Sequence, residues 1–451
     1  MKKFFFLLYL ILSSTIIDAQ TKWTLDNCLV YAKDNNIAVK QASLNAKISK
    51  ENYLQSKISI LPNLNLTFSD NISFGRNIDP VTNQITIDRV RNNNFGLSSS
   101  FTIFNGFQNI NNIRKNNLDY LSSKYDVEKI TNDIYVNIVT AYLQLLYNID
   151  LVEVSKQKVN LSELQFKRIS KMVEVGSLPR GDLLNTESQK AQEELQLVNA
   201  QNQRDIAKLN LMQLLDLPFE NSFDIVHLDI EIDENFINLD NQTIFNLAIK
   251  NLPDVKNAEV KLKSSERSLA ISKGYRSPSL FLSASIGTLY SNANKLLVYD
   301  SLQTLPTYID YKFQDQFLDN FSQMISLNIN IPIFNNWQTN SSINLAKIGV
   351  LQAKYDLENT QNNLRKSIEQ AINDANSAQK KYIASQKSVT FQEESFQYTQ
   401  NKYDLQLVNS YDYNNAKNTL FSAETDLLQS KYDYLFKIKM LDFYMGKSLT
   451  F

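Results

Sequence analysis

Four acidic side chains occupy matching positions near the two places where long helical patterns of this chain reverse direction. A displacement of 230 in the numbering relates Glu174 to Asp404 and Asp182 to Asp412. Repeated around the axis of an oligomer, these carboxylates would form rings that favour cations, and ion pairs to nearby bases would hold a constriction shut. The bases within reach are Arg168, Lys171 and Lys402. A plainer interpretation is that acids at the start of a helix, as at Asp182 and Asp412, cap or solvate it.

The chain lacks the residue types that most catalytic and metal sites require. It contains one cysteine, Cys28, and one histidine, His227, which excludes an intramolecular disulfide, a thiolate metal cluster and most nucleophilic triads. We expect His227 to belong to surface structure. No glycine-rich phosphate loop follows a predicted strand. Paired acids leave a hydrolase as the remaining enzymatic hypothesis, and we predict instead a protein that is not an enzyme and has no cofactor.

Charge and composition narrow the class further. Lys and Arg number 46 against 47 Asp and Glu, and this balance argues against nucleic acid or anionic lipid as a partner, because either would need a basic excess. Only 9 Gly and 8 Pro interrupt 451 residues, which favours long uninterrupted elements. Beyond the N-terminal region no apolar run is long enough for a membrane helix, so any membrane contact must be made by strands.

The N-terminal segment 1–19 has the order of an export signal. Lys2 and Lys3 precede the apolar run Phe4–Leu12, and small and polar residues follow it. We therefore expect this segment to be removed, so that Gln20 begins the mature chain. A retained anchor is the alternative, although the run is shorter than the roughly 20 apolar residues that a spanning helix needs.

The sequence contains an internal repeat. Nine identities lie in one ungapped frame at a displacement of 216, and later identities lie at a displacement of 230, so the second copy is the longer one in between. The first set joins Lys40, Ala42, Lys47, Ser49, Ser56, Lys57, Pro62, Leu64 and Leu66 to Lys256, Ala258, Lys263, Ser265, Ser272, Lys273, Pro278, Leu280 and Leu282. The second joins Phe104, Asn105, Gln108, Tyr125, Asp126, Asp182 and Asn185 to Phe334, Asn335, Gln338, Tyr355, Asp356, Asp412 and Asn415.

Each copy begins with a helical pattern and continues with a pair of strands. We predict one helix from about Leu25 to Ile60 and its counterpart from Thr243 to Tyr275, ended by Pro62 and Pro278. The strands have alternating apolar and polar residues. Their predicted apolar faces contain Leu64, Leu66 and Phe68, then Phe95, Leu97, Ser99, Phe101 and Ile103, and in the second copy Leu280, Leu282, Ala284 and Ile286, then Ile325, Leu327, Ile329, Ile331 and Ile333.

An aromatic motif ends each return strand. It reads Phe104-Asn105-Gly106-Phe107 in the first copy and Phe334-Asn335-Asn336-Trp337 in the second. Aromatic residues in this place are typical of a membrane interface. We therefore predict that Phe104, Phe107, Phe334 and Trp337 lie at the membrane boundary.

Long helical patterns follow both motifs, over residues 108–175 and 338–408, and at 1.5 Å per residue each reaches roughly 100 Å. Because globular helices average about 11 to 12 residues, these must belong to a coiled coil. Turns at Val175 to Asp182 and Val408 to Asp412 fold each onto a shorter helix. The last helix has a row in which steps of three and four alternate: Tyr413, Ala416, Leu420, Ala423, Leu427, Ser430 and Tyr434.

These patterns divide the chain into predicted domains. The first repeat covers 20–217, with a β-hairpin at 62–104 and a helical hairpin at 108–216. A mixed segment covers 218–251. The second repeat covers 252–451, with a β-hairpin at 278–334, a loop at 291–321 that we expect to face outside the cell, and a helical hairpin at 338–446.

Four strands per chain are too few to close a barrel, and open sheet edges cannot face lipid. Several chains must therefore pool their strands. Three chains supply 12, within the roughly 8 to 26 of bacterial outer-membrane barrels, whereas two supply 8, whose interior is filled by side chains. The sequence predicts a mainly α protein with a transmembrane β part, in which three chains close a 12-stranded β-barrel.

This duplicated order resembles the TolC family of outer-membrane efflux ducts over nearly the whole mature chain. The motifs that support the resemblance are Ile103-Phe104-Asn105-Gly106, Ile331-Pro332-Ile333-Phe334-Asn335, Val175-Gly176-Ser177-Leu178 before Asp182-Leu183-Leu184, and the opening Trp23-Thr24-Leu25.

The resemblance implies a homotrimer in the outer membrane, whose trimeric 12-stranded β-barrel is continued by a long α-helical barrel that extends into the periplasm. It implies docking to a periplasmic adaptor and an inner-membrane transporter, and export of small molecules or polypeptides. Docking falls on the tips Val175, Gly176, Ser177 and Leu178, and Val408, Asn409 and Ser410, the second of which lacks the glycine. The alternative hypothesis is a secreted coiled-coil spacer or adhesin with no channel, which does not explain the duplicated strand pairs.

Overall fold

A computed structural model describes residues 22–81, 83–87, 89–218, 223–227, 240–299 and 306–449. The expected export signal at 1–19 and the acidic stretch Asp229-Ile230-Glu231-Ile232-Asp233 lie outside these residues. The chain divides into two compact units. Within the described residues, one unit contains the chain up to Ala46, Ser123–Asn257 and the part from Glu358 onward, and the other contains Lys47–Ser122 and Ala258–Leu357.

Two helices open each copy, where the sequence predicted one. They are α1 (Leu25–Asn35) and α2 (Ile37–Ile58) in the first copy, and α5 (Asn241–Asn251) and α6 (Pro253–Gly274) in the second, so the displacement of 216 is kept at every end. Asn36 leaves the helical region with ψ at 130°, and its side-chain amide donates to the carbonyl of Leu214 at 3.1 Å. Leu252 is extended with ψ at 134° because Pro253 disfavours helical geometry in the preceding residue.

The segment between the copies is shorter than predicted. Because α5 already belongs to the second copy, that repeat begins at Asn241 and not at residue 252. In the described part of 218–251, Trp23 and Ile225 form a parallel β-bridge, in which the Trp23 amide donates to Asp224 at 2.9 Å and the Val226 amide donates to Trp23 at 3.0 Å. This bridge joins the start of the first copy to the connection that follows it.

Four long strands form an antiparallel sheet in the order β1, β4, β5, β8. They are β1 (Asn65–Ser73), β4 (Val90–Asn105), β5 (Ser279–Ser291) and β8 (Ser322–Asn330). The connection between β1 and β4 contains the short pair β2 (Asn77–Ile78) and β3 (Ile85–Thr86). The predicted loop 291–321 contains the hairpin β6 (Lys295–Tyr299) and β7 (Pro306–Asp310) and the helix α7 (Phe313–Asp319), while 300–305 lie outside the described residues.

The long helices have equal lengths in the two copies. α3 (Gln108–Glu174) and α8 (Gln338–Asp404) each contain 67 residues, and α4 (Arg180–Leu214) and α9 (Ser410–Tyr444) each contain 35. All four keep the displacement of 230 at both ends. The predicted pattern at 108–175 matches α3 to within one residue, whereas the pattern at 338–408 extends four residues beyond the end of α8.

The largest apolar cluster lies where the opening helix packs on the long helices. Cys28, Tyr142, Leu146 and Leu211 are fully buried in it, and the Tyr142 hydroxyl donates to the Val226 carbonyl at 2.9 Å. Burial raises the pKa of Cys28 to about 12, so this thiol stays protonated and unreactive in the folded chain.

Candidate functional site

The sheet has one apolar and one polar face across all four strands. Residues paired directly opposite each other point to the same face. In the register, Phe104, Leu280 and Ile329 form one row, and rows above it follow at every second residue. The further apolar rows are Phe101, Leu282 and Leu327, then Ser99, Ala284 and Ile325, then Leu66, Leu97 and Ile286, then Phe68, Phe95 and Thr288.

The apolar face is open to its surroundings. Leu66 and Ile325 are each 79% exposed, and Ile329 is 64% exposed. Soluble proteins rarely leave such a contiguous apolar surface uncovered. The opposite face contains mainly serine, threonine, asparagine and glycine, for example Ser98, Ser285 and Ser326, with Phe281 and Met324 among its apolar exceptions. A sheet with these two faces suits lipid on one side and water on the other.

A β-bulge corrects one predicted member of the apolar face. Thr102 pairs with Phe281 and Phe104 pairs with Leu280, so Ile103 is the extra residue and has no partner in the ladder. Strict alternation had placed Ile103 on the apolar face. The bulge gives that place to Phe104, which brings the aromatic ring to the end of the apolar rows.

The two aromatic motifs form matching strand-to-helix turns. Gly106 and Phe107 have φ of 66° and 62°, and Asn336 and Trp337 have φ of 52° and 66°. An added Cβ at Gly106 would collide with the carbonyl oxygen of Gly274, which requires glycine there. A left-handed aromatic residue costs free energy. Its presence in both copies therefore indicates that the orientation of Phe107 and Trp337 matters.

An asparagine caps the long helix in both turns. Asn105 Oδ1 accepts from the Asn109 amide at 3.3 Å, and Asn335 Oδ1 accepts from the Thr339 amide at 3.4 Å. The turns leave their rings open to contact, since Phe104 is 37% exposed, Phe107 61%, Phe334 78% and Trp337 64%. The geometry is thus compatible with the predicted interface positions.

The tips of the two helical hairpins share one turn geometry. Gly176 has φ of 76°, and the Ser177 amide donates to Met172 at 2.8 Å, the bond that closes a Schellman cap. In the second tip Gln406 has φ of 59°, and the Leu407 amide donates to Lys402 at 2.9 Å. Gln406 therefore takes the place of Gly176.

This equivalence corrects the frame of the second tip. The prediction placed it at Val408, Asn409 and Ser410, but the turn starts at Leu405, and Ser410 is already the first residue of α9. The prediction from the sequence missed two exposed tip residues, Leu405 and Leu407. Their side chains are 71% and 69% exposed, about as much as that of Val175 at 73%. The displacement of 230 pairs Leu405 with Val175, and its consistent use would have found the turn.

An ion pair joins the tips through one of the predicted carboxylates. Arg168 pairs with the Asp404 carboxylate and also donates to its backbone oxygen at 3.3 Å. Its guanidinium lies 5.7 Å from the centre of the Tyr403 ring, which stacks on Tyr413 at 4.7 Å. Burial raises the pKa of Tyr413 to about 12, so this tyrosine stays neutral. A cavity of about 260 Å³ lies beside the pair, and its lining includes Arg168, the predicted gate residue Asp182, and the predicted tip residues Ser177, Leu178, Val408, Asn409 and Ser410.

The other three predicted carboxylates are not in that contact. Glu174 is the last residue of α3 and is exposed. Asp182 and Asp412 lie in the first turns of α4 and α9, where a negative charge favours the helix dipole. Neither is the capping residue, because Asn409 accepts from the Asp412 amide at 2.9 Å and Pro179 occupies the equivalent position before α4. The predicted capping role was therefore wrong, since the cap precedes each acid by almost one turn.

A buried charge cluster lies above the tips and was missed by the sequence interpretation. Glu193 and Lys417 are 1% and 3% exposed and lie 2.8 Å apart, and Lys417 donates to Ser162 at 2.6 Å. Gln189 donates to Glu193 at 2.9 Å. Burial lowers the pKa of the neighbouring Lys158, whose ammonium lies 4.0 Å from the Phe421 ring centre. Lys417 lies four residues after Tyr413 and three before Leu420, which places a charged side chain on the apolar side of the last helix, and that position was the available signal.

The lone histidine is part of the surface. His227 Nε2 lies 2.7 Å from Asp150 Oδ1, and the Tyr432 hydroxyl donates to the other oxygen of Asp150 at 2.7 Å. Over the residues that the structure describes, no group of three metal-binding side chains occurs. Of the helices in those ranges, none has an apolar stretch of the length that a bilayer crossing requires.

Family comparison decides the class of the protein. The model of the outer membrane efflux protein family matches residues 29–216 and 244–447, which are the two copies of the repeat. The chain belongs to this family. As an outer membrane efflux protein it is a transport protein and not an enzyme, and it resides in the outer membrane and reaches into the periplasm. Membership agrees with the TolC resemblance of the motifs and opposes the spacer or adhesin hypothesis.

Individual relatives are distant in sequence. The chain is 21% identical to outer membrane efflux protein BepC of Brucella suis biovar 1 (strain 1330), over 94% of this chain and 86% of that protein. It is 21% identical to alkaline protease secretion protein AprF of Pseudomonas aeruginosa, over 70% of this chain and 62% of that protein. The outer membrane protein VceC of Vibrio cholerae has the same fold, with a TM-score of 0.78, 14% identity and coverage of 94% and 96% of the two chains.

Proposed function

We propose that this efflux protein is the outer-membrane duct of a three-part export system and that it works as a homotrimer. The main support for this proposal is the four-stranded sheet, which has an exposed apolar face and a polar face. Within the described residues, β1 and β8 each pair on one side only. Because lipid cannot satisfy open backbone groups, these edges must meet strands of other copies.

Closure by three chains follows from the strand number. Four strands from each of three copies would give a 12-stranded barrel with its polar face toward the lumen. In that barrel β8 of one copy pairs with β1 of the next. The rings of Phe104, Phe107, Phe334 and Trp337 would then lie at the periplasmic membrane boundary, where aromatic residues are enriched.

The helical hairpins would form the periplasmic part of the duct. A periplasmic adaptor would dock at the tips, on Val175, Gly176, Ser177, Leu178, Val408, Asn409 and Ser410, and on the exposed Leu405 and Leu407. An inner-membrane transporter would select the cargo. The cargo would be small molecules or polypeptides, since one relative is named an efflux protein and another an alkaline protease secretion protein.

Oligomeric mass and conductance test the duct. Light scattering of the detergent-extracted protein, with the micelle subtracted, should give three times the mass of the mature chain. The same trimers should form ion-conducting channels in planar bilayers. A monomer or dimer without conductance would contradict the proposed trimeric duct.

The tip ion pair is the candidate gate. We expect Arg168→Ala and Asp404→Asn each to raise single-channel conductance several-fold, because each variant removes the contact that joins α3 to α8 at the tip. Arg204→Ala is the matched control, since Arg204 pairs with its sequence neighbour Asp205 on the surface of α4.

Exchange of the two charges gives a second check on the gate. Arg168→Asp combined with Asp404→Arg should return the conductance toward the original value. Equal conductance in Arg168→Ala and Arg204→Ala would show that the pair does not close the channel. Glu174, Asp182 and Asp412 would then be the remaining candidates for carboxylate rings.

A further inference from the structure

The connection between β5 and β8 contains the short helix α7, which has no part in closing the barrel or in the tip contacts. We propose that α7 is a membrane anchor, which lies on the lipid side of the barrel and inserts apolar side chains into the outer leaflet. The proposal rests on the proposed duct, because it takes the apolar face of the sheet as the lipid face.

Aromatic contacts show on which side of the sheet α7 lies. Phe95 belongs to the apolar face, in one row with Phe68 and Thr288. The ring centre of Phe95 lies 5.5 Å from that of Phe317 and 6.2 Å from that of Phe313. The Thr288 hydroxyl, on the same face, donates to the Phe317 carbonyl at 2.7 Å. The helix therefore covers the end of the apolar face and does not lie over the polar one.

Polar contacts fasten the helix to the end of β5. Gln316 is fully buried, accepts from the Ser291 amide at 3.0 Å, and donates to the carbonyls of Ser291 at 2.9 Å and Tyr311 at 2.8 Å. Asn320 donates to the Leu289 carbonyl at 2.6 Å. Every polar atom of the Gln316 amide group thus holds strand and loop backbone. The position of α7 is fixed by the strand and does not depend on its own short length.

The outer surface of α7 is amphipathic. Leu318 is 72% exposed, Phe313 44% and Phe317 36%, and Phe321 just after the helix is 49% exposed. At 100° per residue, Asp315 and Asp319 lie on the arc opposite Phe313 and Phe317. An apolar arc beside an acidic arc is what an interfacial helix requires, with rings toward the acyl chains and carboxylates toward water.

The height of α7 on the sheet fits a membrane boundary. Leu280 pairs with Phe104, at the periplasmic end of the apolar face in the proposed duct, and Thr288 contacts α7 at the other end. The two residues are eight positions apart along β5. At about 3.3 Å per step this is about 26 Å along the strand, or about 20 Å along the axis of a barrel whose strands tilt by about 40°. Outer-membrane barrels have an apolar band about 25 Å tall between two aromatic girdles. Phe313, Phe317 and Tyr290 would supply the outer girdle.

Outer-leaflet lipid is the occupant that these observations favour. The exposed Phe313 and Phe317 of α7 adjoin the apolar face of the sheet, with Gln314 between them and Leu318, and that face already requires lipid in the proposed duct. A second trimer or another protein bound to α7 would leave the exposed apolar rows of the sheet next to it without a covering partner. The shared requirement of both surfaces is an acyl-chain environment.

Site-directed fluorescence tests the anchor. Leu318→Cys would carry a polarity-sensitive label on the full-length trimer in phosphatidylcholine vesicles that contain nitroxide lipids. Cys28 is fully buried with its pKa raised to about 12, so labelling is selective. Ile325→Cys and Ser326→Cys, on opposite faces of β8, are the lipid and water references. We expect the Leu318 label to be quenched at least two-fold more by a headgroup nitroxide than by a deep-chain nitroxide.

The references separate failure of the anchor from failure of the duct. If the Ile325 label is lipid-quenched while the Leu318 label is quenched only by aqueous iodide, the anchor is wrong and the duct stands. If the Ile325 label also escapes lipid quenching, the proposed duct fails. If neither the nitroxide lipids nor aqueous iodide quench the Leu318 label, and light scattering gives a mass above three chains, α7 makes contacts between trimers. That result would overturn the lipid anchor.

Discussion

Lys417→Ala should destabilise the helical hairpins by about 3–5 kcal/mol, the typical cost of removing one partner of a buried ion pair. The variant leaves the Glu193 carboxylate 1% exposed and without its charged partner. Ser162 and Gln189 would still donate to it, but neither neutralises it. Thermal unfolding of the detergent-solubilised protein, followed by circular dichroism in the far ultraviolet, measures the loss as a lower transition temperature.

The matched control is Lys190→Ala. Lys190 lies on the same helix as Glu193 and pairs with Glu194 and with Glu163 of α3, but these side chains are 25% to 53% exposed, and solvent-accessible pairs contribute about 1 kcal/mol or less. Replacing both buried partners, with Glu193→Leu and Lys417→Met, should recover part of the loss, because neither partner is left alone, although the buried Lys158 ammonium then loses its attraction to Glu193. Equal transition temperatures for Lys417→Ala and Lys190→Ala would show that the buried pair does not hold the hairpins together.

Ile325→Arg should prevent assembly of the barrel in membranes. Ile325 pairs with Ala284 in the middle row of the apolar face, and an arginine on the lipid face near the bilayer midplane costs about 2–4 kcal/mol in each chain. A homotrimer would bear that cost three times. The fraction of protein recovered as trimer from outer membranes, on a native gel, measures the effect.

Ser326→Arg is the control at the next position of the same strand. Ser326 pairs with Ser283 on the polar face, so its arginine would enter the water-filled lumen. That variant should assemble and should lower the preference of the channel for cations. Normal trimer yield for Ile325→Arg together with loss of trimer for Ser326→Arg would invert the two faces of the sheet.

Periodicity and duplication predicted most of the architecture. The alternating strands, the long helices and the aromatic turns follow local rules of spacing, and the two copies support each other wherever one pattern is weak. The breaks after Asn35 and Asn251 were missed because each needs only a single extended residue. Pro253 was a signal for the second break, and the displacement of 216 would have transferred it to Asn36.

The remaining features depend on contacts between distant parts of the chain. Lys417 resembles a surface lysine until Glu193 and Ser162 pack against it from other helices. Nothing in the sequence of 313–319 indicates a helix bound to the apolar face, because Gln316 is held by backbone atoms of Ser291, far from it in the chain. The bulge at Ile103 is set by pairing with Phe281 and Leu280, so alternation within one strand could not reveal it.

The equal helix lengths of the two copies restrict how such a protein changes in evolution. Arg168 meets Asp404 and Glu193 meets Lys417 only while 67 residues oppose 67 and 35 oppose 35. A deletion in one helix would rotate every following side chain by about 100° per residue and separate these partners. A shorter or longer periplasmic reach therefore requires four matched changes, each close to a whole number of turns. The length of the helical part would therefore change in evolution in steps of about 7 or about 11 residues, which correspond to roughly 10 or 16 Å, and not one residue at a time.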